Sequence, residues 1–271
     1  MNSNQSITFT VDGEEITQER IHAVEKERCE KVLNELIEKS ALESSQTKGL
    51  SLESEKLLIA KTKEKLGREG ILQLYSEEIE ASDAMWHEIA SSSPAKSELK
   101  AGIVNVVAKG VSIYQFMMTN AEVVKQNGLY TPSLIHPEHY SFEVSNGEQI
   151  IVETFGMYKT PSYLHLIAAD DGYTPIPLDE DTNFAMVGYT HLAHNNEDTK
   201  IVGMHQFKER EDGLEVKLGV FLPKAAPEEM LEGHKWHLMV EFNNCLTLAA
   251  NKHVSALAKP VLKAALKKMR R

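Results

Sequence analysis

The amino-acid sequence predicts an α+β protein, in which helices come first, an antiparallel sheet follows and a long helix closes the chain. Three observations indicate this class. Apolar residues recur at helical spacing over residues 16–91. Asn-Gly and Asp-Gly turns separate segments of alternating apolar and polar residues over 140–221, and a long apolar segment begins after Pro227. With 271 residues, of which 42% are hydrophobic, the chain can bury a substantial core.

The N-terminal third is predicted to be helical. Apolar residues such as Val24, Val32 and Leu36 recur in steps of three and four among Glu and Lys, and further helices are expected over 52–66 and 69–89. Ser93 and Pro94 then match an N-cap and a first helical residue. We therefore expect a helical region over 1–93 and a second domain over 94–271.

Hairpins are predicted beyond this boundary. Asn146-Gly147 separates residues 140–144 from 149–155, and Asp212-Gly213 separates 202–207 from 214–221. Asp171-Gly172 marks a third turn, and residues 214–220 alternate with period two, as in an antiparallel strand with one buried face.

A long helix is predicted to begin at Pro227 and to run to about residue 258, with a kink or restart near Pro260. Packed against a curved antiparallel sheet, such a helix would enclose a cavity.

Composition excludes several classes of function. The 29 Lys and Arg against 40 Asp and Glu give a net charge of −11, which argues against a nucleic-acid partner. The basic segment 267–271 is interpreted as the charged end of a helix. Cys29 and Cys245 match no disulfide framework or zinc motif, and no signal peptide or membrane-spanning run is expected, so we predict a cytoplasmic protein without a membrane partner.

A candidate metal site lies on the predicted C-terminal helix. His237 and Glu241 are four residues apart, so they share one helical face with Asn244. Glu153 lies within the apolar run 150–155, where alternation places it on the same face as Ile151 and Phe155. A buried carboxylate is costly unless it is paired or bound to a metal, which favours a ligand role for Glu153.

Three segments resemble the 2,4-diacetylphloroglucinol hydrolase and phloretin hydrolase family. Residues 151–156, with Glu153 shortly before a glycine, are similar to that family's ligand-bearing strand. Residues 204–216 are similar to its His-Gln hairpin, and residues 237–244 to its helix with a His and Glu pair followed by Asn. The resemblance covers about residues 110–251 and includes no part of residues 1–93.

This resemblance implies a helix-grip (Bet v 1-like) fold with a divalent metal, most simply zinc, at its cavity. It implies a hydrolase acting on carbon–carbon bonds in ketonic substances, which cleaves an acyl group from the ring of a phenolic ketone. Carried over by motif, Glu153, His237 and Glu241 bind the metal, His205 transfers a proton and Tyr114 holds a substrate oxygen. The structural alternatives are a half-buried strand histidine at 205 and a core aromatic at 114.

The family has one further ligand, a histidine well before the strand Glu. Counting back without gaps places Glu122 there, and a set of three carboxylates and one imidazole would favour manganese or iron over zinc. A gap would instead assign the role to His136 or His139. The family's Trp-rich sequence is absent from residues 110–128.

Two other functions are compatible with the sequence. The protein could be a non-catalytic helix-grip carrier of a small apolar or aromatic ligand, in which His237 and Glu241 are structural. Alternatively, the helices over 14–91 could form an interaction module that pairs with a partner or as a homodimer. A small aromatic substrate is the partner that the main hypothesis requires.

Overall fold

The computed structural model describes residues 5–94, 98–145, 148–169 and 171–269. The described strands form one nine-stranded antiparallel sheet in the order β2-β1-β3-β9-β8-β7-β6-β5-β4. The strands are β1 (Ser6–Val11), β2 (Glu14–Ile16), β3 (Lys100–Lys109), β4 (His139–Ser145), β5 (Glu148–Glu153), β6 (Ser162–Ala168), β7 (Phe184–Leu192), β8 (Asp198–Arg210) and β9 (Gly213–Leu222). The helices are α1 (Gln18–Glu38), α2 (Leu52–Leu74), α3 (Ser76–Ser92), α4 (Ile113–Gln126), α5 (Tyr130–Ile135), α6 (Glu228–Ala250) and α7 (Ala258–Met269). The α+β class with a large antiparallel sheet and C-terminal helices is therefore confirmed.

The N-terminal region contains a hairpin before its helices. Ile7 and Phe9 of β1 are buried, and Asp12 and Gly13 turn the chain into β2 with positive φ angles of 51° and 84°. The region 1–93 thus contains two strands, ahead of the helical pattern predicted from residue 16, that the sequence analysis did not include. Because β1 pairs with β3, sheet hydrogen bonds join residues on both sides of the predicted boundary at residue 93.

Ser93 ends a helix instead of beginning one. It is the C-cap of α3, its hydroxyl donates to the carbonyl of Ile89 (2.9 Å) and accepts from the backbone N–H of Ala225 (3.1 Å). The predicted N-cap role is therefore wrong, since the same hydroxyl satisfies a carbonyl at the end of α3. Residues 95–97 lie outside the described residues, and β3 follows at Lys100.

The predicted hairpins are present where they can be described. In β4 and β5, Ser145 pairs with Glu148, while the Asn146-Gly147 turn itself lies outside the described residues. The turn at Asp212 joins β8 to β9, and a Cβ atom on Gly213 would lie 2.1 Å from the carbonyl oxygen of Ala108. Asp171-Gly172 lies in the connection between β6 and β7.

The main core lies between one face of the sheet and α6. Buried side chains of β3 and β9, such as Val104 and Leu218, belong to the same apolar cluster as Leu238 and Leu246 of α6. A second cluster packs α1, α2 and α3 against Tyr140 and neighbouring sheet residues. Helix α6 ends at Ala250, earlier than predicted, and the expected restart near Pro260 is α7.

Among the described helices, none combines the length and the apolar character that crossing a membrane would require.

Candidate metal centre

Strand pairing places His139 beside Glu153. Across the β4–β5 hairpin, Ser141 pairs with Val152, and an irregularity at Tyr140 then shifts the register so that His139 faces Glu153. Tyr140 is fully buried on the other side, in the core beneath the N-terminal helices. The bulge thus directs an imidazole toward the face that carries the buried carboxylate.

Two glycines bring the end of β5 against α6. Gly156 has a φ of 62°, and a Cβ atom there would lie 2.2 Å from the carbonyl oxygen of Met230. A Cβ atom on Gly233 would lie 1.7 Å from the carbonyl oxygen of Gly156. Only glycine permits this approach, which sets Glu153 opposite His237, one turn beyond Gly233 on α6.

Four potential ligand atoms converge where these segments meet. The Nε2 atoms of His139 and His237 are 3.2 Å apart, and Oε2 of Glu153 lies 3.6 Å from the first and 3.7 Å from the second. Oε2 of Glu241 lies 4.0 Å from Nε2 of His237. A tetrahedral metal with bonds of about 2.0–2.1 Å has ligand atoms roughly 3.3–3.4 Å apart. The spacing of His139, Glu153 and His237 therefore fits three corners of a metal site without rearrangement.

The tautomer of His139 suits a ligand. Its Nδ1 lies 3.2 Å from the carbonyl oxygen of Pro132, an acceptor that requires the proton on Nδ1 and leaves the lone pair on Nε2. His237 complements it in the metal-free protein, because its Nε2–H can donate to that lone pair. The Nδ1 atom of His237 is buried without a hydrogen-bond partner.

His136 belongs to the same cluster, and three imidazoles, His136, His139 and His237, could hold a metal ion. The ring of His136 stacks on that of His237, with centroids 3.8 Å apart and planes inclined by 17°. A metal lies close to the plane of each imidazole that binds it, and two nearly parallel stacked planes share no point at bonding distance. Nδ1 of His136 also accepts the backbone N–H of Glu138 (3.1 Å), which places its proton on Nε2. Of the three histidines, His136 is therefore the least suited to bind.

A stack of four rings holds His237. Phe155 and His234 are 4.2 Å apart with planes at 17°, and His234 and His237 are 5.1 Å apart with planes at 8°. His136 completes the stack on the side of His237. His234 is itself fixed, because its Nδ1 accepts the backbone N–H of Gly156 (3.2 Å). Because Nδ1 of His237 makes no hydrogen bond to any described residue, the stacked rings on either side are what orient its imidazole.

Burial keeps the metal-free site close to neutral. It raises the pKa of Glu153 to about 8, with help from the nearby Glu241 and Glu138, and raises the pKa of Glu241 to about 7. Desolvation lowers the pKa of His139 to about 3, and it lowers the pKa of His237 well below its ordinary value. A bound cation would supply the positive charge that stabilises the ionised form of both carboxyl groups.

These shifts make the stability of the metal-free protein depend on pH. The folded carboxyl groups hold protons that the unfolded chain releases above pH 4.5, so they lower the free energy of unfolding as pH rises toward 8. The buried histidines act oppositely, because the unfolded chain binds their protons up to about pH 6.5. Stability should therefore rise with pH in acid and fall between about pH 6.5 and 8.

Glu241 is the most accessible of the four convergent side chains. It keeps 30% of its side-chain surface exposed, and burial raises its pKa to about 7. His205 lies on β8, edge-on to Phe242, with centroids 5.4 Å apart. Its Nδ1 is buried without a protein partner, and desolvation lowers its pKa to about 4. A neutral imidazole thus packs against Phe242, the residue that follows Glu241 on α6.

Glu122 does not belong to this cluster. Its carboxylate pairs with Lys252, beyond the end of α6, and its side chain is 46% exposed. His237 and Ala250 are separated by about 20 Å along the helix axis at 1.5 Å per residue. The structure therefore places Glu122 of α4 apart from the four convergent side chains, in an ion pair with Lys252.

Asn244 and Tyr114 have other surroundings. The amide of Asn244 donates to the carbonyl of Ile135 (2.9 Å) and to Glu25 (2.6 Å), so it ties α6 to α5 and α1. Tyr114 is half-buried on α4 and packs against the main apolar cluster. Within the part of the chain that the structure describes, Tyr114 makes no hydrogen bond to the four convergent side chains, and its contact with substrate stays a prediction.

Comparisons with known proteins leave the family of the chain open. No family model matches the sequence, and no curated protein does. The crystal structure of Ara h 8.0201 matches with a TM-score of 0.39 and 16% sequence identity, over 57% of this chain and 99% of that one.

Proposed function

We propose that this protein is a metal-dependent hydrolase with a helix-grip fold, whose metal is held by His139, Glu153, His237 and Glu241. The observation that carries the proposal is the convergence of the Nε2 atoms of His139 and His237 and Oε2 of Glu153, at mutual separations of 3.2–3.7 Å. The order His, Glu, His, Glu along the chain is also the ligand order that the sequence resemblance implies.

Zinc is the metal we propose. With Glu122 as a ligand, the donors would be three carboxylates and one imidazole, which suits harder cations. His139 in its place makes two imidazoles and two carboxylates, a donor set that suits zinc. Glu241 is the most exposed of the four proposed ligands, so substrate or water would approach on its side.

The proposed reaction is hydrolysis of an aryl ketone. Water adds to the ketone carbon, the bond to the ring carbon breaks and the ring carbon takes up a proton, which yields a carboxylic acid and a phenol. When bound, a divalent metal polarises the ketone oxygen and lowers the pKa of water. His205 is the proposed proton carrier, because its buried Nδ1 has no protein partner and its imidazole is neutral. The aromatic ring of the substrate would pack near Phe242.

The first experiment is elemental analysis of protein expressed without a His tag. We expect about one zinc per chain in the native protein and in Glu122→Ala, and little in Glu241→Ala. Metal-loaded protein should then release an acid from 2,4-diacetylphloroglucinol or a related acylphenol. Native protein without metal, even after incubation with zinc, would refute the metal site. A metal-loaded protein inactive on a panel of acylphenols would refute the proposed substrate class.

One observation favours a second function, the binding of an aromatic ligand without catalysis. The metal-free site is close to neutral, and the aromatic residues Phe155 and Phe242 pack against the histidines His234 and His205. Neutral, aromatic surroundings would suit a flat apolar ligand as well as a substrate. Tight binding of acylphenols by metal-free protein, without turnover, would support this alternative.

A further inference from the structure

The N-terminal helices reach the candidate metal centre through basic side chains, of which Lys63 is fully buried. Lys63 of α2 is fully buried, and its Nζ donates to the carbonyl oxygens of Pro137 (2.5 Å) and His139 (2.9 Å). The same Nζ atom lies 4.3 Å from the centroid of the Tyr140 ring, and burial lowers the pKa of Lys63 to about 7. The segment that Lys63 contacts is therefore the one that carries the ligand His139 and the bulge at Tyr140.

A buried lysine of this kind is a poor choice for stability alone. Burying an ammonium group is costly, and a carboxylate partner usually offsets the cost. Among the described residues, Lys63 makes no ion pair within 4.0 Å, whereas the buried Lys56 on the same helix pairs with Glu25 at 2.7 Å. Lys63 instead donates hydrogen bonds to two backbone carbonyls, those of Pro137 and His139, which flank Glu138.

Glu138 is held in turn by α1. It is fully buried, and its carboxylate pairs with Lys31 at 2.9 Å and with Arg28 at 3.8 Å. Arg28 also donates to the carbonyl oxygen of Met157 (3.1 Å), just beyond Gly156 in the turn that follows Glu153. Cations of α1 and α2 thus fix both segments that carry sheet-side ligands.

The ring of His139 is left with little freedom. Its backbone carbonyl accepts from Lys63, and its Nδ1–H donates to the carbonyl of Pro132 at 3.2 Å. With both groups fixed, Nε2 stays 3.2 Å from Nε2 of His237. Such outer contacts set the geometry of a metal site as firmly as the ligands themselves.

We propose that Lys63 is a positioning residue for the metal centre, which sets the His139 ligand by holding the carbonyls of Pro137 and His139, with Arg28 doing the same for the turn after Glu153. This inference rests on the proposed metal site. It assigns the N-terminal helices a role in metal binding, although the sequence resemblance does not reach them.

The test measures metal binding, not activity. Lys63→Met keeps the length of the side chain and removes its N–H donors. We expect its Zn²⁺ affinity, measured by competition with a chelator, to fall by about 10–100-fold, as for other outer contacts. With Co²⁺ as the probe, the visible absorption spectrum should change, because His139 is no longer held in place. Lys63→Arg, which keeps donors, should recover part of the affinity.

Lys39→Met is the matched control. Lys39 also lies over a tyrosine ring, 4.8 Å from the centroid of Tyr75, and pairs with Glu78, but it contacts no segment of the centre. Its Zn²⁺ affinity and Co²⁺ spectrum should equal those of the native protein. If Lys63→Met does not fold, Arg28→Met tests the same idea through Met157 and should also weaken Zn²⁺ binding.

The outcomes separate the two proposals. Native protein that binds no Zn²⁺ or Co²⁺ would overturn the metal site and the positioning role together. Native protein that binds metal, with unchanged affinity and spectrum in Lys63→Met or in Arg28→Met, would overturn the positioning role alone. An equal loss in Lys39→Met would also overturn it, because the effect would then follow general stability.

Discussion

Two separate variants, His139→Phe and His136→Phe, test which imidazole binds the proposed metal. His136 is buried and the side chain of His139 is 13% exposed, and both ring centroids lie close to that of His237, at 5.2 Å for His139 and 3.8 Å for His136. Phenylalanine preserves a flat ring at either position and cannot bind a metal. The two variants therefore remove the same chemistry from neighbouring positions, and each is the control for the other.

The geometry predicts unequal effects. Four-ligand zinc sites bind with about 10–16 kcal/mol, so the loss of one ligand costs about 2.5–4 kcal/mol, roughly 60- to 700-fold in Kd. We expect this loss for His139→Phe. His136→Phe keeps the ring stack on His237 and loses only the acceptor for the Glu138 N–H, so its metal Kd should change by about tenfold or less, while its stability falls by about 1–3 kcal/mol.

The assay is competition between each folded variant and a chelator of known zinc affinity, with thermal unfolding as the check on folding. An equal loss of affinity in both variants would indicate a site of three imidazoles and refute the argument from stacked ring planes. A loss confined to His136→Phe would refute the assignment of His139.

Three further predictions follow from the same geometry. The free energy of unfolding of the metal-free protein should fall by up to about 3 kcal/mol between pH 6.5 and 8, because the unfolded chain releases the protons that Glu153 and Glu241 retain in the folded protein, at about 1.36 kcal/mol per proton and pH unit. Zinc should abolish this fall. Chemical denaturation at several pH values, with and without zinc, measures it. Gly233→Ala should destabilise the protein by about 3 kcal/mol or more, because the new methyl group would overlap the carbonyl oxygen of Gly156; a melting temperature within about 2 °C of native would contradict the close approach. His205→Gln should reduce acylphenol turnover by about 10²–10⁴-fold and leave the zinc content unchanged, and native-like turnover would exclude proton transfer by His205.

Three of the proposed ligands lie on regular elements, where the sequence could place them. Helical spacing puts His237 and Glu241 on one face of α6, and their side chains lie 4.0 Å apart. Strand alternation predicts a buried Glu153, and its side chain is buried at the end of β5. Both inferences need only the period of a single element. They do not depend on how distant parts of the chain meet.

The positions of His139 and Glu122 relative to the site were not predicted in this way. Counting outward from the Asn146-Gly147 turn pairs Glu153 with residue 140, and only the bulge at Tyr140 moves His139 into that position. The bulge depends on tertiary packing of the Tyr140 ring, which no local pattern reveals. For Glu122, the capping box of Ser112 and Gln115 marks a helix start, and helical periodicity from there would have assigned Glu122 to the exposed face.

The N-terminal strands were missed although the sequence carries their signal. Asp12-Gly13 lies between short alternating segments, as in the two hairpins that were predicted. The helical pattern that begins near residue 16 hid it. Strand β3 was missed because Ser93-Pro94 matches a helix start, while the hydroxyl of Ser93 in fact closes the preceding helix.

The sheet is open, with β2 and β4 at its two ends, and open edges are where sheets recruit further strands and aggregate. At the first edge, β2 is three residues long and carries two glutamates. Beyond it, the side chain of Gln18 donates to the carbonyl oxygen of Ile7 at 2.8 Å. This edge therefore offers an incoming strand few free backbone groups.

At the other edge, side chains occupy the outward groups of β4. Arg68 donates to the carbonyl oxygen of Phe142 at 3.0 Å, and Asn127 accepts the backbone N–H of Val144 at 3.0 Å. With Lys63 on the carbonyl of His139, three outward groups along this strand are engaged. The helices that hold the candidate metal centre thus also protect the sheet from strand addition, and a substitution that releases them would expose an aggregation-prone edge together with a weakened site.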